Sequence, residues 1–166
     1  MNPIVVMGVT GSGKSTLGRA LAEALPNGLF FDADDYHPVH NKEKMASGKP
    51  LTDEDRLPWL LRLRDLFQQH PDHRVVLACS ALKQSYRDLL QQGSDSVPIL
   101  YVFLDGSMEL IMHRLTARTN HFMNPALLQS QFDTLERPTG EHVMPVTIGS
   151  DTPEQMARQV ISHFTL

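Results

Sequence analysis

Short apolar runs recur along the chain at Ile4–Met7, Leu29–Phe31, Val75–Cys79 and Ile99–Leu104. Each is about strand length and apolar at odd and even positions alike, so both of its faces need cover, as in a parallel sheet lying between helices. The intervening segments repeat with a helical period: Leu17, Ala20, Leu21, Ala24 and Leu25 share one helix face, as do Met108, Ile111, Met112 and Leu115. A last helix is signalled by Thr152 as N-cap, Pro153 in the first turn and Gln155 three residues after the cap. Behind them Ala157, Val160, Ile161 and Phe164 stay in register, an apolar stripe for the sheet. A fifth strand is weaker, because Pro145 interrupts Val143–Ile148 and removes a ladder donor; the strand is expected at Val146–Ile148. Strands alternating with helices predict an α/β fold, with an open parallel sheet, helices on both sides and ligands at the carboxyl ends of the strands. The polar stretches 69–73 and 91–96 read as loops within one domain, and no internal repeat is present.

The chain has 166 residues, which suits a single domain, and 41% apolar with 20% charged residues is ordinary for a protein with a packed core. A formal charge of −4 with both signs interspersed offers no basic face, which argues against nucleic acid or an anionic membrane as partner. Cys79 is the only cysteine, so an intramolecular disulfide and a four-cysteine zinc site are impossible, and a reducing cytosol is the expected compartment. No apolar run approaches the roughly 18 residues of a membrane span, and the chain enters its first strand without a charged leader; a cytoplasmic protein is expected. None of the eight histidines forms an H-x-x-x-H or H-E-x-x-H pattern, so no structural zinc is expected. Trp59 and Phe67 read as core or pocket wall.

Directly after the first strand, Gly8-Val9-Thr10-Gly11-Ser12-Gly13-Lys14-Ser15 matches G-x-x-x-x-G-K-[ST] and opens the first helix. Glycines let such a loop aim backbone N–H groups at phosphate oxygens, and the helix N-terminus adds about half a positive charge. Lys14 is assigned to the β- and γ-phosphates, the Ser15 hydroxyl to Mg²⁺ and Thr16 to the α-phosphate. The nearest approach to a guanine-reading N-K-x-D is Asn41-Lys42-Glu43-Lys44, and its final lysine cannot accept hydrogen bonds from the base edge. The second strand ends in Asp32-Ala33-Asp34, followed by His37, at the same edge of the sheet. There Asp34 is assigned to the proton of an attacking hydroxyl and Asp32 to the metal shell.

Three further groups of residues belong together. They are His37-Pro38, Asn41, Lys44-Met45, Gly48, Pro50-Leu51, Asp53, Asp55-Arg56 and Pro58-Trp59-Leu60; then Cys79-Ser80-Ala81-Leu82-Lys83 with Tyr86-Arg87-Asp88; then Arg114, Arg118, His121-Phe122, Gln131-Phe132, Leu135-Glu136 and Pro138. With the glycine loop they cover nearly the whole chain, and the pattern resembles the bacterial gluconate kinases of the P-loop type. The resemblance implies a three-layer P-loop nucleoside-triphosphate hydrolase fold with a five-stranded parallel sheet and a helical lid, roughly residues 114–138. It implies ATP-dependent phosphorylation of D-gluconate at its 6-hydroxyl, and relatives of this kind suggest a homodimer.

Gluconate is a polyhydroxy anion, so its pocket needs a cation and a ring of donors and acceptors. Arg56 and Lys83 are assigned to substrate charge, His37 to a substrate hydroxyl, and Ser80 and Gln131 are chemically suitable neighbours. Arg114 and Arg118, four apart on one helix face, would swing over the transferring phosphoryl and exclude water, with stacking on adenine as the alternative for one of them. The loop Gly149–Pro153 is placed beside adenine by the same likeness. No aspartate closes the third strand, which ends Ala78-Cys79-Ser80, so Asp32 must serve the metal in its place. Two rival readings are a shikimate-kinase-like enzyme, which would carry a glycine-rich turn after the third strand, and a non-catalytic nucleotide switch, which would need neither lid nor acceptor pocket.

Overall fold

The apolar runs form β1 (Ile4–Met7), β2 (Gly28–Asp32), β3 (Arg74–Ala78) and β4 (Leu100–Asp105), and β5 (Val143–Thr147) completes the sheet. The order is β2-β3-β1-β4-β5, with every pairing parallel. The computed structural model describes residues 1–94, 97–119 and 125–166, with Arg118 and Thr119 described by their backbone. Seven helices accompany the strands among the described residues: α1 (Lys14–Ala24), α2 (Val39–Ala46), α3 (Asp53–Gln69), α4 (Gln84–Gln91), α5 (Met108–Thr119), α6 (Pro125–Thr134) and α7 (Pro153–Phe164).

Alternate residues of the central strand feed two separate cores, which is why its run is apolar throughout. Ile4 and Val6 pack with Leu17 and Leu21 of α1, Ile111 of α5, Leu128 of α6 and Val160 of α7. Val5 and Met7 pack on the opposite side with Trp59, Leu63 and Leu66 of α3 and Leu90 of α4. The result is three layers, with Trp59 and Phe67 in the second core. Buried Cys79 joins that core, and burial pushes its thiol up to about 12, which makes it inert at neutral pH.

Two expectations need correction. Leu29–Phe31 is not covered on both faces: β2 is an edge strand and every residue of it is half-buried. The fifth strand starts at Val143 and includes Pro145. β5 is the other edge, paired with β4 alone. Ile148 N–H donates to Asp105 O at 2.8 Å, so by the two-residue alternation of a strand the nitrogen of Pro145 faces the open side, where no donor is needed.

Register decides what lies at the carboxyl edge. Val6 is level with Ala78, and Ala78 with Asp32, so the ends of three strands finish in one row. Among the described residues no helix is long and apolar enough to cross a membrane.

The capping box of α7 is present: Thr152 Oγ1 accepts from Gln155 N–H at 3.1 Å, and Gln155 Oε1 accepts from Thr152 N–H at 2.7 Å. Thr152→Ala should lower the unfolding free energy by about 0.5–2 kcal/mol, read as a lower denaturant midpoint with an unchanged m-value.

Candidate active site

β1 delivers the chain into the glycine loop, and α1 begins at Lys14. Its N-cap, Gly13, has φ +97°, and a Cβ there would meet only open space, so the backbone angle and not crowding calls for glycine. Gly13 supplies no side-chain cap, which leaves the first-turn N–H groups for an anion. They face a hollow of about 160 Å³ lined by Thr10, Gly11, Gly13, Lys14, Ser15, Thr16, Asp32, Asp34 and Ala78. Gly8 and Ser12 stand behind it: Gly8 N–H reaches Ser80 O at 3.4 Å, and Ser12 is buried with its Oγ unpartnered.

Asp32 organises the metal-facing side. Its Oδ2 accepts from the Ser15 hydroxyl at 2.8 Å, and its Oδ1 caps the single 3₁₀ turn Ala33–Tyr36 by accepting from Asp34 N–H at 3.0 Å. Ser15 and Asp32 thus put hard oxygen donors beside the phosphate hollow, a set that fits Mg²⁺, which keeps much of its own water and needs few protein ligands. Lys14 Nζ donates to Val9 O at 3.0 Å, folded back across the loop. Burial lowers its pKa from the lysine range, opposed by the attraction of Asp34 and Asp32. Asp34 shifts the other way: desolvation against the hollow comes first, then repulsion from Asp32, and both outweigh the pull of Lys14.

A second cavity, of about 390 Å³, adjoins the first. Thr10, Lys14 and Asp34 line both. Beyond them it is lined by His37, Arg56, Ser80 and Gln131, with Met45, Pro50, Leu51, Trp59 and Leu82 among its apolar walls. Arg56 is held by Nη1, which donates to Leu51 O at 2.7 Å and to the Tyr86 hydroxyl at 3.0 Å. Its remaining edge is left for an anion. Gln131, from α6, accepts from Thr10 N–H at 2.7 Å and ties that helix to the glycine loop. His37 is 6% exposed and stacks on Trp59 with ring centroids 4.1 Å apart.

Of the residues assigned to substrate, the cavity takes in Asp34, His37, Arg56, Ser80 and Gln131 and leaves out Lys83. Lys83 Nζ pairs instead with both oxygens of Asp53, at 3.1 and 3.2 Å, beside a separate shallow hollow. Asp53 also accepts from the Tyr86 hydroxyl, so Lys83 bears on the cavity only through the chain Asp53–Tyr86–Arg56. Arg114 Nη2 donates to Gly149 O at 2.9 Å, joining α5 to the loop before α7. Pro153 opens α7 and lines neither cavity. The Arg118 side chain, with residues 120–124 of the expected lid, lies outside the described residues. The lid segment is clasped at its far end, where Glu136 N–H donates to Leu82 O at 2.8 Å and its Oε1 accepts from Gln84 N–H at 2.7 Å.

Two neighbours of the site escaped the reading of residue chemistry. Tyr86 sits 30 positions from Arg56, and no local pattern links them. Asn41 is four residues after His37, a spacing that could have drawn attention to it.

The comparisons fit this geometry. A family model described as Shikimate kinase matches residues 10–165. A mouse relative named "Probable gluconokinase" is 46% identical, the match covering 91% of this chain and 91% of its own length. The "Thermosensitive gluconokinase" of Escherichia coli strain K12 is 48% identical over 82% of this chain and 73% of its own. The chain belongs to the gluconokinase family. The likeness extends to mammals and is not confined to bacterial members. The crystal structure of a gluconokinase from Sinorhizobium meliloti 1021 superposes with a TM-score of 0.87 at 41% identity, covering 99% of this chain and 91% of that one.

Burial, with the Arg56 and Lys42 cations nearby, lowers the His37 pKa from 6.5 to about 4. The neutral ring therefore stabilises the fold above about pH 6.5, and that contribution fades as pH falls towards 4. An NMR titration should give His37 a midpoint near 4 instead of the usual histidine range.

Proposed function

We propose that this protein is an ATP-dependent gluconokinase that transfers the γ-phosphoryl group to the 6-hydroxyl of D-gluconate. The observation that carries the reading is the wall common to both cavities, formed by Thr10, Lys14 and Asp34. A phosphate in the smaller hollow and an alcohol in the larger one can approach each other only there. The gluconokinase names of the relatives support the choice of acceptor.

In the proposed reaction Lys14 leaves Val9 O and takes up the terminal phosphate, where its charge follows the transferring group. Asp34 accepts the proton of the attacking hydroxyl as the new O–P bond forms and the bond to the β-phosphate oxygen breaks. Its raised pKa brings it closer to the working range of a general base. Mg²⁺, when bound, supplies charge neutralisation for the phosphates, and Ser15 and Asp32 would hold it. At the far end the open edge of Arg56 takes the carboxylate, and His37, Ser80 and Gln131 serve the hydroxyls. Residues 114–138 form the lid, clasped at Glu136, and bring Arg114 and Arg118 towards the nucleotide.

The description of the matching family model favours one rival, shikimate as acceptor, and a panel of acceptors decides between them. With ATP and Mg²⁺, gluconate should yield 6-phosphogluconate and ADP, and shikimate should yield nothing. Phosphorylation of shikimate with gluconate untouched would reverse the assignment, and ATP binding without phosphorylation of any acceptor would point to a switch. Asp34→Asn should lower kcat by about 10²–10⁴-fold while ATP affinity stays within a few-fold. Because the folded protein binds the Asp34 proton more tightly than the open chain does, its ionised form costs stability at neutral pH. The same variant should therefore show a Tm at pH 7 that is raised, not lowered.

A further inference from the structure

We infer that Asn41 is a positioning residue that holds His37 as a neutral imidazole with its proton on Nε2, so that His37 donates to an acceptor hydroxyl and cannot take its proton. The inference rests on reading the larger cavity as the acceptor site. Its basis is the orientation of one buried amide. Asn41 is 1% exposed, and its Nδ2 donates to the backbone carbonyl of Asp55 at 2.8 Å. A carbonyl oxygen can only accept, so the amide cannot be turned round without setting oxygen against oxygen. The second hydrogen of the same Nδ2 faces His37 Nδ1 at 3.2 Å. That nitrogen must then be an unprotonated acceptor, and a neutral ring carries its proton on Nε2.

The rest of the surroundings agree. The ring is pinned flat on Trp59, with 15° between the planes, and Trp59 is itself anchored through its indole N–H to Ala33 O at 2.7 Å. His37 Nε2 has no protein partner among the described residues, and it is not one of the enclosed unpartnered atoms; the residue lines the cavity. A donor is thus left open to a ligand. Lys42 and Arg56 line the same cavity, and their charges also oppose protonation of the ring. With Nε2 already protonated, His37 is no rival to Asp34 for the hydroxyl proton. The pair divides the work: Asp34 accepts from one hydroxyl, and His37 donates to an oxygen of the acceptor.

The test combines a spectrum with kinetics. In wild-type protein labelled with ¹⁵N-histidine at pH 7, His37 should show an unprotonated Nδ1 and a protonated Nε2, and added gluconate should shift the Nε2 signal. In Asn41→Asp the carboxylate accepts where the amide donated, so the proton should move to Nδ1. The KM for gluconate should then rise about tenfold, the worth of one neutral hydrogen bond, with the KM for ATP unchanged. A wild-type ring protonated at Nδ1 would overturn the inference whether or not the variant folds. So would an Asn41→Asp enzyme whose two KM values rise together. If gluconate is not phosphorylated at all, the functional reading fails on its own, because the wild-type spectrum reports the tautomer without any acceptor.

Discussion

Everything at this site depends on a parallel sheet that is covered on both faces. A sheet of that kind can expose its ends but not its faces, and because the strands all run the same way the functional loops gather at one edge. The register places Val6, Ala78 and Asp32 in one row, so the glycine loop, the turn bearing Asp34 and Ser80 leave the sheet side by side. Neither cavity needs a second domain. Each is walled by loops and helices that the three central strands send out together.

Within that edge the charges are set against one another. Lys14 is drawn out of water next to Asp34, and Asp34 stands next to Asp32. In the absence of phosphate Lys14 rests on the carbonyl of Val9, and the two carboxylates stay close only because Asp32 is tied to Ser15 and to the amide of Asp34. An arrived phosphate would give Lys14 a stronger partner. The site is thus built for charge it does not itself contain, a general form of electrostatic preorganisation.

The acceptor side is stiffened in a similar way. Asn41 and Trp59 hold His37, Leu51 O and Tyr86 hold Arg56, and Asp53 holds Tyr86. Asp55 serves two purposes: its carboxylate completes the cap of α3 and pairs with Lys44, and its carbonyl orients Asn41. A single hydrogen bond from Thr10 to Gln131 joins this side to the glycine loop, so the lid helix and the cradle meet in the structure as it stands.

Features decided within a few residues were legible in the chain alone. The glycine loop, the D-x-D turn, the Thr152–Gln155 cap and the two-faced strands each depend on neighbours close in sequence, whose spacing carries their physics. Pairings between distant segments were not legible. Pro145 looked like the start of an interruption because only the strand order shows that β5 is an edge with an unused side. Lys83 and Arg56 looked equally fit to bind an anion, and the fold set Asp53, 30 positions from Lys83, against one of them and turned the other into the cavity. Thr10 and Gln131 are 121 positions apart. Which polar groups satisfy one another across such distances is settled when the helices dock on the sheet, because only then does burial make an unpaired group costly.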